Sequence, residues 1–384
     1  MIKIGITVAF ILGSAGPVTS TRQADSPVRD PAASAASPAN WNRISDSCSV
    51  ALETGFYNRR GHYYNNTNQG DTTFHYWPQA HALDVLTDAY LRTDNKQYVA
   101  RMNDWMAGVR AKNGNTFLNE YYDDMLWNAL AMLRVYDATK DKKWLDETVT
   151  LWEDIKTAWN DTLGGGMAWR KGQRYYKNTP VNGPAIILAA RLYQRLKRPD
   201  DLAWAKKVYG WQKKVLVDPA TGLVYDGINQ NNDGQLNTTW KFTYCQGVWI
   251  GGTLELYRIT NDPAYLADAT KTADLAITDP TLTTNGLMRD EGKGDGGLFK
   301  GVLVRYLTQL ILEPDLPRSQ KDRYAAFLKH NAETLWQQGT ARPQFTFGTF
   351  WQKQPTGGQT GLSSQLSGTM LMEAMALLTR NQVY

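Results

Sequence analysis

Two adjacent carboxylates stand out among the residues that could do chemistry. They lie in the run Glu120-Tyr121-Tyr122-Asp123-Asp124-Met125-Leu126-Trp127. Like charges this close resist full ionisation, so one pKa should rise while the other stays low. A helix starting at the pair would favour the ionised member through its N-terminal dipole. One proton-holding and one proton-free carboxyl are what an acid and a nucleophile need. Carboxyl groups roughly 5–5.5 Å apart suit glycoside cleavage with retention, and groups roughly 6.5–9.5 Å apart suit inversion. Adjacent residues at a helix start are compatible with the shorter distance. Asp pairs at helix starts also serve as plain caps, and the dipeptide alone does not separate the two readings. The flanking aromatics favour chemistry.

Other residues could build a cleft around the pair. The chain carries 14 Trp and 20 Tyr, more than core packing alone calls for, and flat aromatic faces are how proteins hold sugar rings or other planar ligands. Trp77, Tyr122, Trp127, Trp169 and Trp240 are candidates for stacking, with core packing as the competing reading for each. Phe242, Tyr244 and Gln246 are read as cleft-lining. Asn178 and Gln246 carry amides, which both donate to and accept from hydroxyls. Asp226 precedes a glycine on a long loop and is read as a sugar contact near the bond that breaks. Asp295 is either a further contact or the cap of an inner helix.

These residues need a scaffold, and helical periodicity supplies one. Apolar residues recur at helical spacing in Ala129 to Tyr136, Ile186 to Tyr193 and Leu254 to Tyr257, and strand signals are weak. Polar turns such as Thr139-Lys140-Asp141 and Thr260-Asn261-Asp262-Pro263 then open a second helix, with Asp141 and Asp262 as N-caps and Pro263 at the first helical position. The aromatic marks Tyr98, Trp144, Trp204, Tyr265 and Tyr324 follow one another at intervals of about 46 to 61 residues, the signature of repeated helical hairpins. First helices are expected near Tyr76, Asp124, Gly183, Gly247, Gly297 and Ser364, and second helices near Asn95, Lys142, Asp200, Pro263 and Ser319. A helix over Ile44 to Tyr57 completes the count. The last helix, Leu366 to Leu378, is apolar enough to require cover. Closure onto the N-terminal helix provides that cover, so the expectation is an all-α, single-domain (α/α)6 barrel. Long loops rich in Gly, Asn and aromatics enter the inner helices and should gather at one face, where function usually sits.

The remaining features bound the function. A net charge of +5 over 384 residues, with both signs interspersed, gives little support to a nucleic-acid or membrane-surface role. Residues 1–20 read as a signal peptide, with Lys3 ahead of the apolar run Ile4 to Leu12, which is too short for a membrane span. Residues 21–40 are Ser-, Ala- and Pro-rich and read as a disordered spacer, and 41–384 as the catalytic domain. Export is the expected consequence. His75 and His81 are six apart, the wrong spacing for a shared helical face, and are read as structural or surface residues. Asn229-x-Asn231-x-Asp233-Gly234 resembles half of a calcium loop, but Trp240 stands where the closing Glu belongs, so a plain turn is the better reading. Cys48 and Cys245 could pair in an oxidising compartment, although a barrel would keep them apart.

The ordered set of motifs resembles glycoside hydrolase family 76. It comprises Tyr121-Tyr122-Asp123-Asp124-x-x-Trp127-x-x-Leu130-Ala131, Trp77-Pro78-Gln79-Ala80, Gly164-Gly165-Gly166-Met167-Ala168-Trp169, Lys177-Asn178-Thr179 and Phe242-Thr243-Tyr244-Cys245-Gln246-Gly247. The resemblance runs from about Ser45 to Thr379. It implies an (α/α)6 barrel that hydrolyses internal α-1,6-mannosidic bonds with retention, Asp123 acting as nucleophile and Asp124 as acid/base. It implies no metal and no organic cofactor, and α-mannan or manno-oligosaccharides as the partner. Cys245 and the Met125-Leu126 pair depart from the family pattern and bear on subsite detail. Other readings are a mannan transglycosylase using the same pair, a non-catalytic mannan-binding protein, and another (α/α)6 enzyme such as a uronyl hydrolase or a sugar epimerase. Nothing demands more than a monomer.

Overall fold

The computed structural model describes residues 39–384. The expected signal peptide, and the spacer up to residue 38, lie outside the described residues. Twelve long helices alternate between an inner and an outer ring. The inner ring is α2 (Tyr76–Thr93), α4 (Tyr122–Thr139), α6 (Thr179–Leu196), α8 (Thr243–Thr260), α10 (Gly296–Ile311) and α12 (Leu362–Arg380). The outer ring is α1 (Trp41–Gly55), α3 (Lys96–Lys112), α5 (Lys142–Lys156), α7 (Pro199–Val215), α9 (Pro263–Thr278) and α11 (Arg318–Thr334). Each inner helix packs on the next, α12 packs on α2, and α1 covers α12. The ring is therefore closed, as the apolar surface of α12 demanded.

The turns on one side are built alike. Four inner helices end on a left-handed residue, Asp94, Lys140, Lys197 or Asn261, and the next residue but one already starts the outer helix. Asn95, Asp141 and Asp262 accept from the backbone N–H two residues on, satisfying donors that a helix start leaves open. α1 begins at Trp41, ahead of the expected Ile44, because the Asn40 side chain accepts from the Arg43 N–H. The starts placed at Gly183 and Gly247 fall one turn inside α6 and α8. These glycines mark helix–helix contacts. A Cβ on Gly183 would lie 2.5 Å from Val248 Cγ2, and one on Gly247 would lie 2.8 Å from Leu303 Cα.

The outer layer buries Trp105, Trp144 and Trp152 against the inner ring. The middle of the ring is polar. Arg134 pairs with Asp84 and Asp88, Arg305 reaches the same two carboxylates, and Arg191 pairs with Glu255 and Gln309. Burial alone would raise the Asp84 carboxyl, but the Arg305 and Arg134 guanidiniums overcome it and hold the group well below the usual carboxylate range. The loops add strands that periodicity did not show, among them a three-stranded antiparallel sheet of Ala168–Arg170, Gln173–Asn178 and Gly227–Ile228. Cys48 and Cys245 are both buried and free, so the possible disulfide is not formed. No helix among the described residues is long and apolar enough to cross a membrane.

Candidate active site

Five of the six inner helices, α2, α4, α6, α8 and α10, present their N-terminal ends to one cleft of about 530 Å3, while the start of α12 faces a neighbouring pocket. Asp123 and Asp124 sit in the first turn of α4, in its floor. The strand Ala168–Arg170 is clamped to that turn: Tyr121 bridges Arg170, Lys171 N–H donates to Glu120 O at 3.0 Å, and Gly172 N–H donates to the Glu120 carboxylate at 2.7 Å. The clamp aims the Trp169 indole N–H at Asp123 Oδ2, 3.0 Å away. Asp123 Oδ1 accepts from the Asp124 N–H at 3.1 Å.

The two carboxyls are thus unlike. Burial pushes Asp123 up to about 7, against the Trp169 indole and backbone N–H groups that favour its ionised form. Asp124 lacks such donors, and burial together with the negative charges of Asp123 and Asp295 holds it well above the ordinary range. Of the two, Asp124 therefore holds a proton more tightly, and Asp123 is the more readily ionised.

Around the pair the cleft is aromatic. Trp77, Trp127, Trp169, Trp240, Phe242 and Tyr244 all line it, as expected. Trp240 is 39% exposed and stands at the mouth, 6.2 Å from Phe242. Tyr244 stacks on Phe299 with ring centroids 4.0 Å apart. Asn178 lines the cleft and is 3% exposed, and its buried Oδ1 has no partner among the described residues. Asp226 is fixed by Tyr176 Oη at 2.9 Å and Tyr244 Oη at 2.6 Å, with the Cys245 thiol 3.7 Å away. Burial raises its pKa, and the two phenols oppose the rise. Asp295 accepts from the Trp77 indole at 2.8 Å and makes no side-chain cap to α10.

Two expectations are corrected. Tyr122 does not line the cleft. One residue along a helix is a rotation of about 100°, so when Asp123 faces the cleft Tyr122 turns outward, where its hydroxyl meets Thr157 Oγ1 and Arg174. Gln246 is fully buried, and its amide is spent on Val224 N, Val224 O and Phe242 O. It pins the segment that carries Asp226 and has no group left for a sugar. Cleft residues that the pattern missed include His75, Tyr176, Gln230 and Phe299. His75 is the N-cap residue of α2, so the inner-helix rule that located Asp123 applied to it as well. His81 is buried beneath Trp77 and Trp127, ring centroids 5.4 and 5.2 Å away. In the Asn-rich segment, Asn229 Oδ1 accepts from the Gly234 N–H at 2.6 Å, as a plain turn requires. Among the described residues, no group of three or more His, Cys, Asp and Glu could hold a metal ion.

The contact from Trp169 gives a pH test. Removing the indole donor disfavours the Asp123 carboxylate and raises its pKa. The acidic limb of the kcat/KM profile should therefore move to higher pH in Trp169→Phe. A hydrogen bond to a charged group is worth about 1.5–3 kcal/mol, so a shift of about one to two pH units is expected. A limb that stays in place would show that the indole does not tune Asp123.

The model of glycosyl hydrolase family 76 matches residues 46–384. The chain belongs to this family. It is therefore a glycoside hydrolase, and its fold agrees with solved relatives. The GH76A α-1,6-mannanase from Salegentibacter sp. HEL1_6 is 42% identical, with a TM-score of 0.86, covering 88% of this chain and all (100%) of that one. An inactive variant of that mannanase, with two consecutive aspartates replaced, has been solved in complex with α-1,6-mannotetrose at the same TM-score of 0.86. The Lin0763 protein of Listeria innocua is 40% identical, with a TM-score of 0.83, covering 89% of this chain and 98% of that one. Among curated relatives, the mannan endo-1,6-α-mannosidase DCW1 of Saccharomyces cerevisiae is 23% identical, over 81% of this chain and 75% of its own length.

Proposed function

We propose that this glycoside hydrolase is an exported, retaining endo-α-1,6-mannanase. The observation that carries the proposal is the pair of unlike carboxyls in the floor of an aromatic cleft, Asp123 bonded to donors and Asp124 without them. Family membership and the α-1,6-mannanase among the solved relatives support the linkage and the sugar. The inactive relative with two consecutive aspartates replaced supports the assignment of the pair. The leader of Lys3 and a short apolar run supports export.

In the first step, Asp123 attacks the anomeric carbon, and the bond to the leaving oxygen breaks as Asp124 delivers its proton there. The glycosyl group is then esterified to Asp123 and Asp124 is a carboxylate. In the second step, Asp124 takes a proton from water, whose oxygen displaces Asp123. Two inversions give net retention. Trp169 steadies the Asp123 carboxylate as it leaves. Asp226, held between two phenols, offers a fixed polar edge to the sugar, and Trp77 and Trp127 shape the floor beneath it.

The test is product sizing after incubation with linear α-1,6-mannan, with the anomer of the first product followed by NMR. Short manno-oligosaccharides released from the earliest times, initially as the α-anomer, are expected. Release of mannose alone would overturn the endo assignment, and an initial β-anomer would overturn retention. Net lengthening of the chains would move the reading to transglycosylation.

A further inference from the structure

A second pocket opens on the cleft face, and the reaction has no use for it. It has a volume of about 550 Å3, within the roughly 300–1,000 Å3 of small-molecule sites. Asn66, Asp290, Lys293, Phe350, Lys353 and Gln354 are among its walls. The strap Asp290 to Asp295 divides it from the catalytic cleft. Asp290, Lys293 and Gly294 face the second pocket, while Asp295 faces the cleft and receives the Trp77 indole.

The walls are fixed in advance. The buried Lys300 ammonium donates to Thr349 O at 2.8 Å, next to Phe350, and lies over the ring of buried Trp351. Asn68 accepts from the Thr360 N–H at 2.8 Å and donates to Gly358 O at 2.9 Å, and Thr67 bridges Gly361. Such a frame spares a ligand the cost of ordering the loop. Phe350 stays 39% exposed, a large apolar face left uncovered beside amides, ammonium groups and a carboxylate. One flat ring with donors and acceptors at its edge fits the C–H face and hydroxyls of a pyranose. No second carboxyl lines the pocket beside Asp290, so it offers binding without chemistry.

We infer that this pocket is a second saccharide site, which takes a mannosyl unit of the same polysaccharide beyond the units in the catalytic cleft. The inference rests on the mannanase reading for the identity of the sugar. The mannosyl unit could belong to a side branch or to a distant part of the backbone, and the test separates the two.

The Asp123→Asn/Asp124→Asn enzyme, which does not turn over, would be titrated calorimetrically with α-1,6-mannotetraose, with a linear α-1,6-mannooctaose and with a branched heptasaccharide. The same titrations would be run after adding Phe350→Ala/Lys353→Ala, with the unfolding midpoint as a control for folding. The longer ligands are expected to bind about tenfold more tightly than the tetrasaccharide, and the added substitutions to erase that advantage. Loss for the branched ligand alone identifies a branch. Loss for both identifies the backbone. If the longer ligands have no advantage, or if the advantage survives the substitutions, the inference is overturned. Cleavage of α-1,6-mannotetraose by the wild type is scored separately. Binding of all three ligands without any wild-type cleavage of tetrasaccharide or polymer would sink the mannanase reading and leave the pocket result standing.

Discussion

Asp123→Asn and Asp124→Asn should each lower kcat/KM on linear α-1,6-mannan by about three to four orders of magnitude, the scale of a lost nucleophile or general acid. The two losses should differ in kind. Without Asp124 the leaving oxygen has no proton donor, so a substrate with an acidic aryl leaving group should recover its first step while the glycosyl-enzyme accumulates. Without Asp123 no such recovery is possible, because no covalent intermediate forms. A burst of aryl alcohol from the Asp124 variant but not from the Asp123 variant would support the assignment, and the opposite pattern would reverse it. Stability should not suffer. Both carboxyls have pKa values raised by folding, so at neutral pH folding must either bury each as a charge or take up a proton, and either way it costs the folded state free energy. The Asn variants should therefore melt no lower than the wild type. A clear drop would mean that the pair holds the head of α4 together and is not poised for chemistry.

The second large effect concerns the ring's interior. Arg134→Ala should destabilise the protein by about 3–5 kcal/mol, because Asp84 and Asp88 lose a buried partner and the single charge of Arg305 is left to balance two carboxylates. Denaturant unfolding would show a lower midpoint at unchanged slope. Adding Asp84→Asn and Asp88→Asn should recover much of the loss, since the penalty is an uncompensated charge and not a missing contact. A loss below about 1 kcal/mol would place this network in the class of solvent-screened surface pairs.

The sequence carried the fold because each hairpin repeats the same turn and the same aromatic mark. The ring closure followed from one apolar helix that needed cover. Glycine is ambiguous where it serves close packing: Gly183 and Gly247 look like helix starts in the sequence, yet each lies where a neighbouring helix leaves no room for a Cβ. At the site, the Asp pair and six of the aromatics are legible because they cluster on or shortly before inner-helix starts. Tyr122 was misplaced because adjacency in sequence is not adjacency on a helix face. Gln246 was misplaced because an amide suited to a sugar is equally suited to pinning a loop. Phe299 and Tyr176 were invisible, since nothing local says which face of a first turn or of a short strand meets the cleft. The second pocket is a product of three loops distant in sequence, and no local pattern announces it.

The closed ring has a further consequence. Inner helices begin at the cleft and run away from it, and outer helices return, so α1 starts and α12 ends on the side opposite the cleft, packed on one another. The order of the hairpins along the chain is therefore a cyclic order, and Trp41 marks an arbitrary cut in it. A circular permutant that joins the two ends by a short linker and opens at Lys140-Asp141 would keep every helix contact and the whole cleft rim. The same topology forbids growth by one unit. An open array can gain a hairpin at its end, whereas a ring must break to admit one, so a new specificity has to be built on the cleft-side loops and helix starts already present.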